Sequence, residues 1–188
     1  MIDEAFIREI LRRDSEAKDK VIAEFSDLTI EQFNWKPNPH SWSIAQCLHH
    51  LVISDSAYFP QLKRIIDGFY KMSLWQKYNP FSRKFGQLLK DQLQEQPTKK
   101  MKAPKKIQPS ASNMNLEFIE GYHKNLDSFM DYISKCITVD IDKIIIASPI
   151  TSIITYSLRD ALQFLAQHEH RHINQAIRIK VNEGFPKK

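Results

Sequence analysis

Residues 167–175 read QHEHRHINQ and place His168, His170 and His172 within five positions. The chain of 188 residues has only 7 histidines, so this density asks for a chemical cause. Neutral imidazole is the commonest metal-ligating side chain, and it carries protons near neutral pH. Helical geometry divides the cluster. At about 100° per residue, Leu158, Ala161, Leu165, His168, His172, Ala176 and Ile179 share one stripe. His170 falls on the opposite side and cannot join them without unwinding the helix. His168 and His172 stand one turn apart on the apolar face, where both rings can reach one ion. Two buried rings cost stability unless satisfied, which favours a metal over two separately hydrogen-bonded core histidines.

The same string formally satisfies H-E-x-x-H, with Glu169 as the acid. A protease of that kind needs a further ligand downstream and a sheet beside the helix. Only 16 residues follow His172 (188 − 172), and Glu183 is their sole acid, so that reading is set aside. The other dense site is CLHHL, with His49 and His50. Adjacent helical residues point about 100° apart, so only one of the two faces a common centre. His50 has Cys47, Ser54 and Ala57 on its flank, and His49 has Ala45, Ile53 and Ser56. Spacing alone leaves both open. His40 and His123 are expected on the surface or in connectors. Gln175 lies one turn beyond His172 and Asp55 about one turn beyond His50. Each either orients a ligand through its second nitrogen or is an ordinary polar contact. Cys47 is expected to be packing.

Four helices must position these residues. Apolar spacing of three and four predicts the first from about Asp3 to Leu28. A connector with Pro37 and Pro39 follows, pinned by Phe33, Trp35 and Trp42. Ser43 and Gln46 stand at capping-box spacing and open the second helix, which Pro60 kinks or shifts and which ends near Gly68. Residues 69–113 read as aromatic-rich and irregular, with a short helix over Phe85–Gln96 and a long proline- and lysine-rich loop over 97–113. Asn113 or Asn115 caps the third helix, which runs to about Cys136. Two short β-branched runs flank Pro149. The fourth helix begins at Ser157, again with capping-box spacing to Asp160, and runs to about Asn182. The pattern predicts an all-α, four-helix bundle with connectors of very different length, as one domain over residues 1–188. Bundles commonly build metal sites from inward side chains of facing helices.

Composition narrows the function class. The chain is 42% hydrophobic and 26% charged with only 4 glycines, an ordinary globular balance. Two cysteines make no disulfide framework in a chain this size. No apolar run reaches the ~18 residues a membrane span needs, and MIDEAFIREILRRD lacks a secretory pattern. A soluble, cytoplasmic protein with no membrane partner is expected. The net charge of +5 is concentrated in KKMKAPKK, which reads as a solvated loop rather than a nucleic-acid surface.

The stretch NWKPNPHSWSIAQCLHHL, with its aromatic connector and W-S-I opening a helix that carries H-L, resembles the DinB/YfiT-like superfamily. LAQHEHRHINQAIRI resembles that family's closing H-x-x-x-H-x-x-Q segment, so the likeness spans both halves of the chain. It implies a metal triad of His50, the histidine directly before Leu51, with His168 and His172. It also implies a four-helix bundle with a long crossover, a divalent ion such as zinc or nickel, and a homodimer. Characterised relatives are S-transferases that use a low-molecular-weight thiol (bacillithiol, mycothiol or glutathione) as cosubstrate. Three functions follow as expectations: a thiol-dependent S-transferase acting on a small electrophile, a metal-dependent hydrolase, or a non-enzymatic binding or stress protein in which the metal is structural.

Overall fold

Polar residues decide where the helices begin. Asp3 accepts the Phe6 N–H at 3.0 Å and starts α1 (Glu4–Phe25), whose buried stripe is Ile7, Ile10, Asp14, Ala17, Val21 and Phe25. Ser43 and Gln46 form a reciprocal capping box at the start of α3 (Ile44–Ser56). Such a cap contributes about 1 kcal/mol by satisfying otherwise free N–H groups. Two further boxes make short helices within stretches read as connectors. Thr29 and Gln32 open α2 (Ile30–Asn34), and Ser73 and Gln76 open α5 (Leu74–Tyr78).

Pro60 stops α3 rather than merely bending it. The chain restarts as α4 (Phe59–Ile66) with the proline in the first turn, where its missing N–H costs nothing. Gly68, at φ +73°, then turns the backbone through the left-handed region that other residues avoid. The expected Phe85–Gln96 helix is α6, shifted to Ser82–Gln92. Next comes α7 (Glu117–Lys135), which has no side-chain cap. Asn113 and Asn115 therefore do not cap it; the Asn115 carbonyl accepts the Phe118 N–H instead. The β-branched runs form a small antiparallel hairpin, β1 (Ile145–Ala147) on β2 (Thr155–Ser157), with Ile146 opposite Tyr156. Ser157 caps α8 (Leu158–Lys180) by accepting the Asp160 N–H at 3.0 Å.

The computed structural model describes residues 2–93, 103–109 and 113–187. Much of the lysine-rich stretch, including Lys99, Lys100 and Lys102, lies outside these residues. Within 103–109 a single 3-10 turn covers Lys105–Ile107. The bundle consists of α1, α3 with α4, α7 and α8: α1 and α3 each pack against both α7 and α8. Phe25, Phe33, Leu48, Leu51, Phe129 and Leu162 are among the fully buried side chains that fill it. Outside the bundle, α5 meets β1, and α6 leans on β2 and α8. That approach is close at Gly86, where a Cβ would collide with the Asp160 carboxylate. Cys47 and Cys136 are buried thiols. Burial pushes both pKa values up, Cys136 to about 12, so both are packing groups rather than nucleophiles.

Candidate metal centre

The whole predicted stripe of α8 is buried, from Leu158 to Ile179, and it carries His168 and His172 into the bundle. On the facing helix α3, His50 is buried and His49 only partly so. His50 therefore joins the pair, while His49 sets its ring edge against Phe118 at 5.3 Å between centroids. Ring centroids in the triad lie 4.9 Å (His50–His168), 4.6 Å (His50–His172) and 4.5 Å (His168–His172) apart. One ring nitrogen from each comes within 4.8 Å of the other two, close enough to hold one metal ion.

Hydrogen bonds orient two of the three rings. The His50 Nδ1–H donates to the Ile107 carbonyl at 2.5 Å. A carbonyl can only accept, so neutral His50 presents a lone pair on Nε2. The His172 Nδ1–H donates to Gln175 Oε1 at 3.0 Å, which likewise frees its Nε2. The His50 and His168 Nε2 atoms face each other at 3.0 Å. Three nitrogens on one tetrahedral zinc sit about 3.3 Å apart, so this spacing is close to what a shared cation requires. Without a proton or cation between them, two facing lone pairs repel. The donor set thus fits a divalent ion.

Electrostatics keep the rings neutral, as ligation demands. Burial pushes His50 down to about 4. Burial first, then the neighbouring histidines, hold His168 and His172 well below the usual range. Arg171 lowers all three further, and Arg178 lowers His172. Among the described residues no carboxylate hydrogen-bonds to any of the three rings. Trp42 closes the outer side, tilted on His50 at 4.9 Å and stacked on His172 at 5.6 Å.

A family model described as DinB superfamily matches residues 14–176, most of the chain and both histidine-bearing helices. The chain belongs to the DinB superfamily. No curated protein and no solved structure gives a match. Within this DinB domain the other histidines stay apart from the triad. His40 is exposed. His170 points away from the centre, but it is tethered through Nε2 to the Arg13 carbonyl at 3.0 Å rather than simply solvated. His123 is buried, not a surface residue: it lies on the core-facing side of α7 beside Tyr122, and its Nδ1 has no partner.

Asp55 departs furthest from expectation. It is neither polar surface nor bonded to His50, but buried at 2% exposure in a layer of acids. Asp14 comes from α1, Asp55 from α3, Tyr122 from α7 and Glu169 from α8, all buried. The Tyr122 hydroxyl donates a short hydrogen bond to Glu169, and neither Asp14 oxygen has a partner among the described residues. Burial raises Asp14 and Asp55 well above the usual carboxylate range, and the charge of Glu169 pushes in the same direction. Glu169 itself rises to about 7. Asp14 and Asp55 thus hold protons, so the layer does not carry three negative charges. Glu169 is thus committed to Tyr122, which agrees with setting the H-E-x-x-H reading aside. Sequence reasoning missed this layer, although Asp14 interrupts the apolar stripe of α1 just as Asp55 interrupts that of α3. The Ile107 carbonyl left no sequence signal, because any residue type supplies one.

Proposed function

We propose that this chain is a divalent-metal-dependent S-transferase that joins a low-molecular-weight thiol to a small electrophile. The observation that carries the reading is the buried convergence of His50, His168 and His172, with cations rather than carboxylates beside them. Among the described residues, the charged side chains that shift the three rings are Arg171, Arg178 and the neighbouring histidines, and no carboxylate hydrogen-bonds to the rings. His50, His168 and His172 would hold zinc or nickel through Nε2 or its equivalent. A divalent ion in an all-imidazole set keeps its full charge and lowers the pKa of a thiol or water that reaches it.

The protein's own groups do the rest. The Ile107 carbonyl and Gln175 Oε1 hold two rings in the ligating tautomer. Arg171, fixed by its hydrogen bond to the Gln92 carbonyl at 2.6 Å, adds positive potential that favours an anionic sulfur over a neutral one. Trp42 excludes water from the outer side of two rings. A hydrolase would gain from a base near the attacking water, and Glu169, the nearest acid in sequence, is engaged by Tyr122.

The test is metal analysis of the purified protein, followed by a panel of thiols with a monochlorobimane-type acceptor. Thiol-dependent turnover that His172→Ala removes supports the proposal. Turnover of an ester or amide panel without thiol points to hydrolysis and rejects it. Retained turnover in the metal-free protein rejects both. Unfolding on metal removal, with no turnover in any assay, assigns the metal a structural role.

A further inference from the structure

The stretch from Gly68 to Lys90 is built inside out. It has five cations (Lys71, Lys77, Arg83, Lys84 and Lys90) and no acid. Its polar side chains turn inward. Gln76 is buried and donates to the Ile145 carbonyl at 3.0 Å; Asn79 is buried and donates to Thr155 Oγ1 at 2.8 Å. Ser82 is buried too, 2.7 Å from the same Thr155 hydroxyl. The large apolar side chains turn outward. Leu74 is 74% exposed, Tyr78 77% and Phe81 52%. Leu74 and Tyr78 are one turn apart on α5, and Trp75 sits beside them. The Trp75 indole N–H is tied to the Ile153 carbonyl at 3.0 Å, which adds exposed Ile153 to the same face.

A soluble surface scatters single apolar residues, as this chain does at Ile2, Ile22 and Val181. Here instead a helix of five residues is anchored through hydrogen bonds by its polar side, with its rings held out to solvent. That arrangement fixes the backbone of α5 and the Trp75 ring before any partner arrives, so ordering them costs little on contact. Lys71 and Lys77 flank these rings in sequence, and both are exposed and form no ion pair among the described residues; Arg83 and Lys84, also exposed, line an adjoining groove with Lys90, Asp142 and Asp160.

We propose that this face docks on an anionic lipid surface. Interleaved lysines with Trp, Tyr and Phe suit the headgroup level, where rings enter the interface and ammonium groups meet lipid charge. A second copy of the chain is disfavoured, because a two-fold contact would set unpaired cations against unpaired cations. No described helix is long and apolar enough to cross a membrane, so the contact is peripheral.

The experiment is vesicle co-sedimentation of the full chain. Vesicles of phosphatidylcholine and phosphatidylserine at about 7:3 are compared with phosphatidylcholine alone. The expected result is binding to the mixed vesicles only, weakened by salt. Lys71→Gln and Lys77→Gln should each weaken it about fivefold. Tyr78→Ser/Phe81→Ser should abolish it while helical circular dichroism and metal content stay unchanged, since both side chains are exposed. Equal binding of that double variant, or no binding to mixed vesicles, overturns the proposal. So does self-association in sedimentation velocity that the same variant removes, which would make the face a contact between copies.

Discussion

Two polar layers cross the core of this bundle, and they handle the same problem differently. In the histidine layer, two rings have one nitrogen committed to an acceptor, and lone pairs converge on a common point. In the acid layer, Tyr122 satisfies Glu169, while both Asp14 oxygens lack any partner among the described residues. The first layer is arranged to receive a positive charge. The second lowers its charge by keeping protons on Asp14 and Asp55. A buried polar cluster therefore signals a ligand when its unused electron pairs converge, not simply when it is polar and buried.

The sharpest way to break this contrast is to remove a ligand from one layer and a carboxyl from the other. His172→Ala, or His50→Ala, should lower zinc affinity more than 100-fold, read by competition with a chelating dye. Asp14→Asn should leave that affinity within about twofold. A large loss in Asp14→Asn would show that the two layers are one site. Next in size is the orienting bond. Gln175→Leu should cost roughly 10- to 100-fold in zinc affinity with the fold intact, because His172 then lacks its acceptor.

A smaller effect concerns stability. Asp14→Asn should stabilise the metal-free chain by about 1–3 kcal/mol at pH 8 and much less at pH 5, measured by urea denaturation. The sign follows from the raised folded pKa of Asp14. A folded carboxyl that holds its proton favours the native state at low pH and disfavours it once the unfolded chain ionises.

The smallest effect is the pH profile of the metal-free protein. His50 falls from its ordinary 6.5 to about 4, so its contribution is present above pH 6.5 and is lost as pH drops towards 4. Glu169 rises from 4.5 to about 7, so its contribution is present below pH 4.5 and is lost as pH climbs through 7. The slopes oppose each other, and the profile between pH 4 and 7 should be shallow. Loading zinc should steepen it on the acid side, since protons then compete with the ion for the rings.

How much of this was legible depended on whether a residue acts through periodicity or through distant backbone. The α8 stripe was readable in full, because seven apolar or histidine positions repeat at helical spacing. The caps at Ser43 and Ser157 were readable from spacing, and the same rule would have found α2 and α5, since Thr29–Gln32 and Ser73–Gln76 carry the same signature. The choice of His50 over His49 needed the family likeness, as 100° between neighbours favours neither until the bundle is assembled. Asp14 and Asp55 were visible as interruptions of apolar stripes, but one interruption does not reveal its counterpart on another helix. Only packing joins them.

One bond bears on the order in which the molecule is completed. The carbonyl that fixes the His50 tautomer lies 57 residues further along the chain, and the other two ligands lie more than a hundred residues beyond His50. Contacts of such separation form late, after the local helices, because the loops between them must first be closed. The centre is therefore assembled only once the Lys105–Ile107 turn has met α3 and α8 has docked. A chain interrupted before α8 holds one ligand, so an ion captured in the finished centre marks a chain that has completed its fold.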